Sequence, residues 1–286
     1  METLFTSEQG KKEILALYDS KLTELNLEYS TQTISTRFGS THVIITGNPS
    51  NPPLILIHGS NGCAPVALET CPNLSEHFHV FAIDVLAQPN KSEENRLSMK
   101  DLSYGKWIHE IISILDLKDV TLSGFSFGGL IILKTLEESC QSIKQAFLIC
   151  PTYIVNGNPL KALWKVFIPM KRFMKTKDPK FVEKFSEALF TERDAFAIQF
   201  LTKVFSYFNM DFSPLPVIKK ESANTITTPI TIFGADDDIF FPGQKMIKRA
   251  QKIFPSLKET VLFYNSKHVQ KRSDNKVIEQ KIIKCI

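Results

Sequence analysis

Gly124-Phe125-Ser126-Phe127-Gly128 is the stretch that decides the fold of this chain. The five residues read G-x-S-x-G. Val120-Thr121-Leu122-Ser123 leads into them as a strand-like run, and Leu130-Ile131-Ile132-Leu133-Lys134 leads out as a helix-like one. A serine on a sharp strand-to-helix turn is held in a strained backbone conformation, with its hydroxyl standing above the sheet. Gly124 and Gly128 let strand and helix crowd together at that turn, and Gly129 extends the relief into the first helical turn. A chance glycine-serine loop would share the letters but not these flanks.

Working outward, the same kind of apolar run recurs. Pro52-Pro53 introduces Leu54-Ile55-Leu56-Ile57. Further runs lie at 80–83, 120–122, 146–149, 230–233 and 261–263. Continuous apolar runs suit central strands buried on both faces. Helical stripes fall between several of them: Ile108, Ile111, Ile112 and Leu115 form one, and Met246, Ile247, Ala250 and Ile253 another. Strand alternating with helix predicts an α/β domain with a mostly parallel sheet and helices on both faces. Ahead of this pattern, residues 7–25 read as an amphipathic helix. Residues 31–37 and 41–46 read as two short strands with a hairpin turn at Phe38-Gly39-Ser40.

One interval breaks the rhythm. About 75 residues separate the run ending at Cys150 from the strand starting near Ile230, several times a usual crossover. Ten of the 22 phenylalanines fall within 151–225, in helix-compatible segments that require a helical subdomain with some core of its own. The expected organisation is therefore a core domain of 1–150 and 226–286 with 151–225 as an inserted helical unit.

With 286 residues, 43% hydrophobic and 22% charged, the chain has ordinary globular composition. A net charge of +4 without arginine-rich or glycine-rich RNA motifs argues against nucleic acid as a partner. Five cysteines, odd in number and without paired metal-ligand spacing, read as free thiols in a reducing compartment. No secretory signal pattern opens the sequence, and no apolar run approaches the ~20 residues of a membrane helix. The expectation is a cytoplasmic protein, without stable membrane insertion.

With the serine turn and the sheet pattern together, the chain resembles the α/β-hydrolase fold family, and within it the serine esterases, from about residue 30 to the C-terminus. The resemblance implies that 151–225 is a cap, or lid, over an active site, with residues such as Phe167, Phe200 and Phe208 lining it for an apolar substrate group. It implies a catalytic triad in the order serine, acid, histidine. Of the six histidines only His268 follows Ser126, just past the last strand-like run, at the sheet edge where open α/β proteins place their sites.

The acid belongs after the 230–233 strand, where the chain reads Gly234-Ala235-Asp236-Asp237-Asp238-Ile239-Phe240-Phe241-Pro242. The family's G-x-x-D-x-x-x-P pattern selects Asp237 counted from Gly234 and Asp238 counted back from Pro242. Asp238 is favoured because Pro242 and Gly243 anchor the next helix, and Asp237 is the alternative. An oxyanion hole needs two preorganised donors. The N–H after the nucleophile, on Phe127, is one. His58-Gly59-Ser60 resembles the family's H-G-x motif and offers the Ser60 N–H as the other, with Gly59 allowing close approach and His58 structural. After the next strand, Asp84-Val85-Leu86-Ala87-Gln88-Pro89-Asn90-Lys91-Ser92 resembles the family's D-x-x-G-x-G-x-S loop, with Ala87 and Pro89 replacing both glycines.

The function these residues imply is ester hydrolysis on a small-molecule ester or acyl substrate through an acyl-enzyme, with no cofactor and no metal. Serine rather than aspartate at the turn argues against dehalogenase and epoxide hydrolase chemistry. Thioesterase, C–C hydrolase and acyltransferase activities share the same triad and stay open, as does a catalytically silent ligand-binding homologue. A membrane-surface lipase is the third class, because 151–225 carries twelve Lys and Arg against seven Asp and Glu.

Overall fold

A computed structural model describes residues 3–286. The apolar runs become strands: β1 Tyr29–Thr36, β2 Gly39–Thr46, β3 Pro53–Ile57, β4 His79–Ile83, β5 Val120–Phe125, β6 Ile143–Ile149, β7 Ile230–Ala235 and β8 Leu257–Phe263. They form one sheet in the order β1-β2-β4-β3-β5-β6-β7-β8. Only β2 runs against its neighbours; every pairing from β4 through β3 to β8 is parallel.

Side chains alternate across a strand, and here both faces are buried. Ile55 and Ile57 of β3 join Leu122, Trp107, Ile108 and Ile131 on one side of the sheet. Leu54 and Leu56 join Ile14, Leu22, Leu68 and Phe147 on the other. Each fully buried aliphatic side chain contributes about 1.5–3 kcal/mol, which is why a doubly covered strand reads as an unbroken apolar run.

The N-terminal helix is Glu8–Glu24, begun by Ser7, whose Oγ accepts the Gly10 N–H at 3.0 Å. It buries Ile14, Tyr18, Lys21 and Leu22. The hairpin turn lies slightly earlier than expected, at Arg37-Phe38, because Thr36 and Gly39 already pair.

The helical insertion occupies 159–207. An unbroken helical run Pro159–Thr176, widened to a π-turn at Leu163–Phe167, is followed by Lys180–Leu189 and Ala195–Tyr207. Pro169 has no N–H to return to the Lys165 carbonyl, which favours the wider turn just before it. The inner residues Val166, Phe173, Phe185 and Val204 do not close a separate core. They continue the cluster that reaches Phe233 and Phe263 on the sheet, so the insertion is packed onto the strands that carry the candidate site.

Candidate active site

Ser126 sits between the end of β5 and the helix Phe127–Glu138, with φ 53° and ψ −110°. This left-handed conformation is costly for a residue with a side chain. It is over-determined: the Ser126 N–H donates to the Ile149 carbonyl at 2.9 Å, and its own carbonyl accepts from the Gly129 and Thr152 N–H groups at 2.9 and 3.0 Å. The turn is tight enough to exclude side chains on either flank. A Cβ on Gly124 would come within 2.7 Å of the Gly128 carbonyl carbon, and one on Gly128 would strike the Ile57 carbonyl oxygen.

The Ser126 Oγ lies 3.0 Å from His268 Nε2, and His268 Nδ1 lies 2.7 Å from Asp238 Oδ2. All three residues are buried. The other Asp238 oxygen, Oδ1, accepts the N–H groups of Phe240 and Phe241 at 2.8 and 3.0 Å. Two backbone donors thus orient one oxygen, and the second is left for the imidazole. Asp237 is exposed and turned away, its N–H donating to the Ser266 carbonyl at 3.0 Å. Asp236 accepts the Ser266 N–H at 3.2 Å. Of the three consecutive aspartates, only Asp238 meets the ring.

His268 is fixed from several sides. Its ring packs against Phe125, Phe240 and Phe241, with centroids 5.0, 5.6 and 5.4 Å away. Its two chain neighbours are tied to the insertion. The Lys267 N–H donates to Thr191 Oγ1 at 2.8 Å, and the Val269 N–H to the Leu189 carbonyl at 2.9 Å. The insertion thus holds the histidine loop directly, a role that sequence reading misses because the contact joins residues far apart in the chain.

The Ser60 N–H lies in the loop after β3, and the Phe127 N–H opens the helix that follows Ser126. Among the described residues, neither the Ser60 N–H nor the Phe127 N–H finds an acceptor outside its own element. Both residues line a cavity of about 40 Å³, together with Gln88, Arg96, Tyr104 and Asp211. His58 holds this loop from beneath. Its Nε2 accepts the Val85 N–H at 3.0 Å, which leaves Nδ1 to donate to the Gly59 carbonyl at 2.8 Å. That bonding demands a neutral ring, and burial lowers the His58 pKa in the same sense, against the pull of Asp84.

The loop after β4 completes the support. Gln88 Oε1 accepts the Asn61 N–H at 2.7 Å. Ala87 adopts φ 54°, so a left-handed residue is still required where the family pattern has glycine. Asp84 is buried, accepting from Tyr18 Oη, His42 Nδ1 and the Ala64 N–H at 2.9, 2.9 and 2.8 Å. Tyr18 and His42 are further residues the sequence does not single out.

Cys150, at the end of β6, places its Sγ within 4.8 Å of the facing Asp238 and His268 atoms. Gln270 Nε2 donates to that sulfur at 2.7 Å. Burial, then the Asp238 charge, push the thiol well above its ordinary pKa, so it stands protonated beside the carboxylate. Cys150, Asp238 and His268 are the one converging group of metal-type ligands among the described residues. Their donors are already committed: Nδ1 faces Oδ2, and Oδ1 serves two N–H groups.

Of the phenylalanines expected to line the site, Phe167 packs on Phe240 at 6.4 Å, and Phe240 in turn meets His268. Phe200 stacks on Phe196 at 5.7 Å, and Phe208 meets Phe5 edge-on at 5.1 Å. Phe208 thus lies at the seam with the N-terminal segment, while the Phe200 stack lies within its own helix.

This sheet order, with a serine turn after β5 and its partners after β7 and β8, defines a hydrolase architecture. Residues 52–210, more than half of the chain, match the alpha/beta hydrolase fold family, and the chain belongs to it. Over 134 residues, 47% of its length, it is 29% identical to the carboxylesterase YbfK of Bacillus subtilis (strain 168), covering 45% of that protein. Over 118 residues, 41% of its length, it is 30% identical to the uncharacterized carboxylesterase nap of the same organism, covering 39% of it. The match therefore spans less than half the length of either curated relative. The crystal structure of the naproxen esterase (carboxylesterase NP) from Bacillus subtilis shares the fold at a TM-score of 0.84 and 20% identity, over 98% of this chain and 99% of that one. The protein is an α/β hydrolase related to carboxylesterases, and among its described residues no helix is long and apolar enough to cross a membrane.

Proposed function

We propose that the protein is a carboxylesterase in which Ser126 is the nucleophile, His268 the general base and acid, and Asp238 the residue that orients and stabilises the imidazolium. The observation that carries this reading is the continuous hydrogen-bonded path from Ser126 Oγ through both ring nitrogens to Asp238 Oδ2. His268 Nε2 takes the Ser126 proton as Oγ attacks the ester carbonyl carbon. The tetrahedral oxyanion is met by the Ser60 and Phe127 N–H groups. Collapse expels the alcohol, which leaves with the proton from Nε2. Water then attacks the acyl-enzyme with its proton passing to Nε2, and the acid departs as Ser126 recovers its hydrogen. Every proton is carried by His268, so the cycle balances with water as the only co-reactant.

The insertion is the cap of this reading, within the 151–225 unit. It covers the buried Ser126 and His268 and presents Phe167 above Phe240 as part of the wall for the substrate's apolar group. A panel of p-nitrophenyl esters tests the proposal. The wild type is expected to turn them over, and Ser126→Ala is expected to lose about 10⁴-fold or more in kcat without loss of thermal stability. Near-full turnover by Ser126→Ala would reject the mechanism.

A further inference from the structure

We infer that the outer face of the helical run Pro159–Thr176 is a docking surface for an anionic lipid bilayer. Large apolar side chains are rarely left in water side by side, and here three are. Trp164 is 68% exposed, Leu160 65% and Leu163 44%. Their spacing puts them on adjoining turns of one helix face, with exposed Met174 further along. The opposite stripe, Ala162, Val166, Pro169, Met170 and Phe173, is buried against the rest of the protein. The apolar ridge is therefore a second face of the helix, additional to the one that holds the insertion in place.

Cations flank this ridge. Lys161, Lys165, Lys171, Arg172 and Lys175 are all exposed. Among the described residues none of the five forms an ion pair with the protein. The nearest acids in sequence are already engaged: Asp178 pairs with Lys180 at 2.6 Å and Glu183 with Arg193 at 3.2 Å. A helix with leucine and tryptophan on its ridge and unpaired basic residues alongside has the chemistry of an interfacial element. Its apolar side chains enter the headgroup boundary while lysines meet lipid phosphates. A tryptophan ring is suited to that boundary, being apolar in body and polar at its N–H. A second copy of this chain is a poor occupant, since it would bring the same positive charge.

The surface lies outside the Ser126 site, and docking needs no turnover. Its failure would leave the esterase reading standing, and the reverse holds equally. The two tryptophans make the test direct. Trp107 is 0% exposed, with its Nε1 bonded to Thr41 Oγ1 at 2.9 Å, so a change in emission on docking reports Trp164. The full chain is mixed with vesicles of phosphatidylcholine, alone or with phosphatidylglycerol, and sedimented at low and high salt.

Co-sedimentation is expected only with the phosphatidylglycerol vesicles, weakening as salt screens the charges. A blue-shifted Trp164 emission, quenched by brominated acyl chains, is expected with it. The triple variant Lys161→Glu, Lys165→Glu, Arg172→Glu, checked by an unchanged melting temperature, is expected to bind roughly 100-fold more weakly. Brominated-lipid quenching in the wild type keeps the test decisive if that variant fails to fold. Absence of binding to phosphatidylglycerol vesicles at low salt would overturn the inference. So would equal binding to neutral vesicles, or binding without any change in Trp164 emission. Capture by polyglutamate in place of vesicles would overturn it in favour of an acidic protein partner.

Discussion

Replacing Asp238 by asparagine should disable His268 as the proposed base while leaving the shape of the side chain at 238 unchanged. Asp238 Oδ1 accepts two backbone N–H groups, from Phe240 and Phe241 at 2.8 and 3.0 Å. Those donors would hold the asparagine carbonyl oxygen on their side, because an NH₂ group there would oppose two buried donors. The amide NH₂ would then face His268 Nδ1, the position Oδ2 now holds at 2.7 Å. A donor there forces Nδ1 to be the acceptor, moves the ring proton to Nε2 and leaves nothing to take the Ser126 proton across the 3.0 Å gap. Loss of the correct tautomer is expected to cost about 10⁴-fold in kcat, equivalent to about 5.4 kcal/mol of activation free energy. Asp237→Asn, at an exposed carboxylate away from the ring, is expected to stay within about twofold of wild type. Initial rates on p-nitrophenyl acetate, with melting curves for both variants, make the comparison. Asp238→Asn retaining activity within tenfold of wild type, or Asp237→Asn collapsing instead, would refute the reasoning.

Three further outcomes are expected. Gln88→Ala frees the Asn61 N–H beside the Ser60 donor, and should lower kcat about 10-fold with KM little changed; a change confined to KM would remove the positioning role. His58 is held neutral, with its pKa lowered by burial from an ordinary 6.5, so the unfolded chain binds the extra proton and stability is full above about 6.5 and falls as pH drops below it. Urea midpoints at stepped pH should show that loss in the wild type and a flatter profile in His58→Gln; identical profiles would reject the assignment. Phe167→Ala opens space above Phe240 and should move the preferred acyl chain of the ester panel toward longer groups; an unmoved optimum would detach the insertion from substrate selection.

The parts of this fold that are legible in sequence are those where one physical requirement dominates a short stretch. A strand buried on both faces is apolar nearly throughout, and 54–57 or 146–149 announce themselves that way. The Ser126 turn is legible because Gly124 and Gly128 are the only residue type that fits there. The choice among three aspartates is different in kind. It depends on which carboxylate the Phe240 and Phe241 N–H groups capture, a property of a turn rather than of its letters. Counting residues to Pro242 or from Gly234 gives opposite answers, and only the turn separates them.

Long-range pairings are hidden for the same reason. Lys21 reads as a polar position on an amphipathic helix, yet it is buried, with its ammonium 2.9 Å from Glu69 of another helix and over the Phe196 ring. Phe208 falls in the 151–225 interval, and its ring packs edge-on against Phe5 of the N-terminal segment, a pairing no local pattern announces. The Leu189–Thr191 clasp on the histidine loop joins segments about 75 residues apart, and no local pattern marks it.

The central claim is that Ser126 becomes the covalent nucleophile, and a mapped adduct tests it most directly. The full chain is treated with a fluorophosphonate, digested and sequenced by mass spectrometry. A single adduct on Ser126, absent when His268→Ala is treated in the same way, is the expected result. An adduct on any other serine, or no adduct on a folded protein, would contradict it.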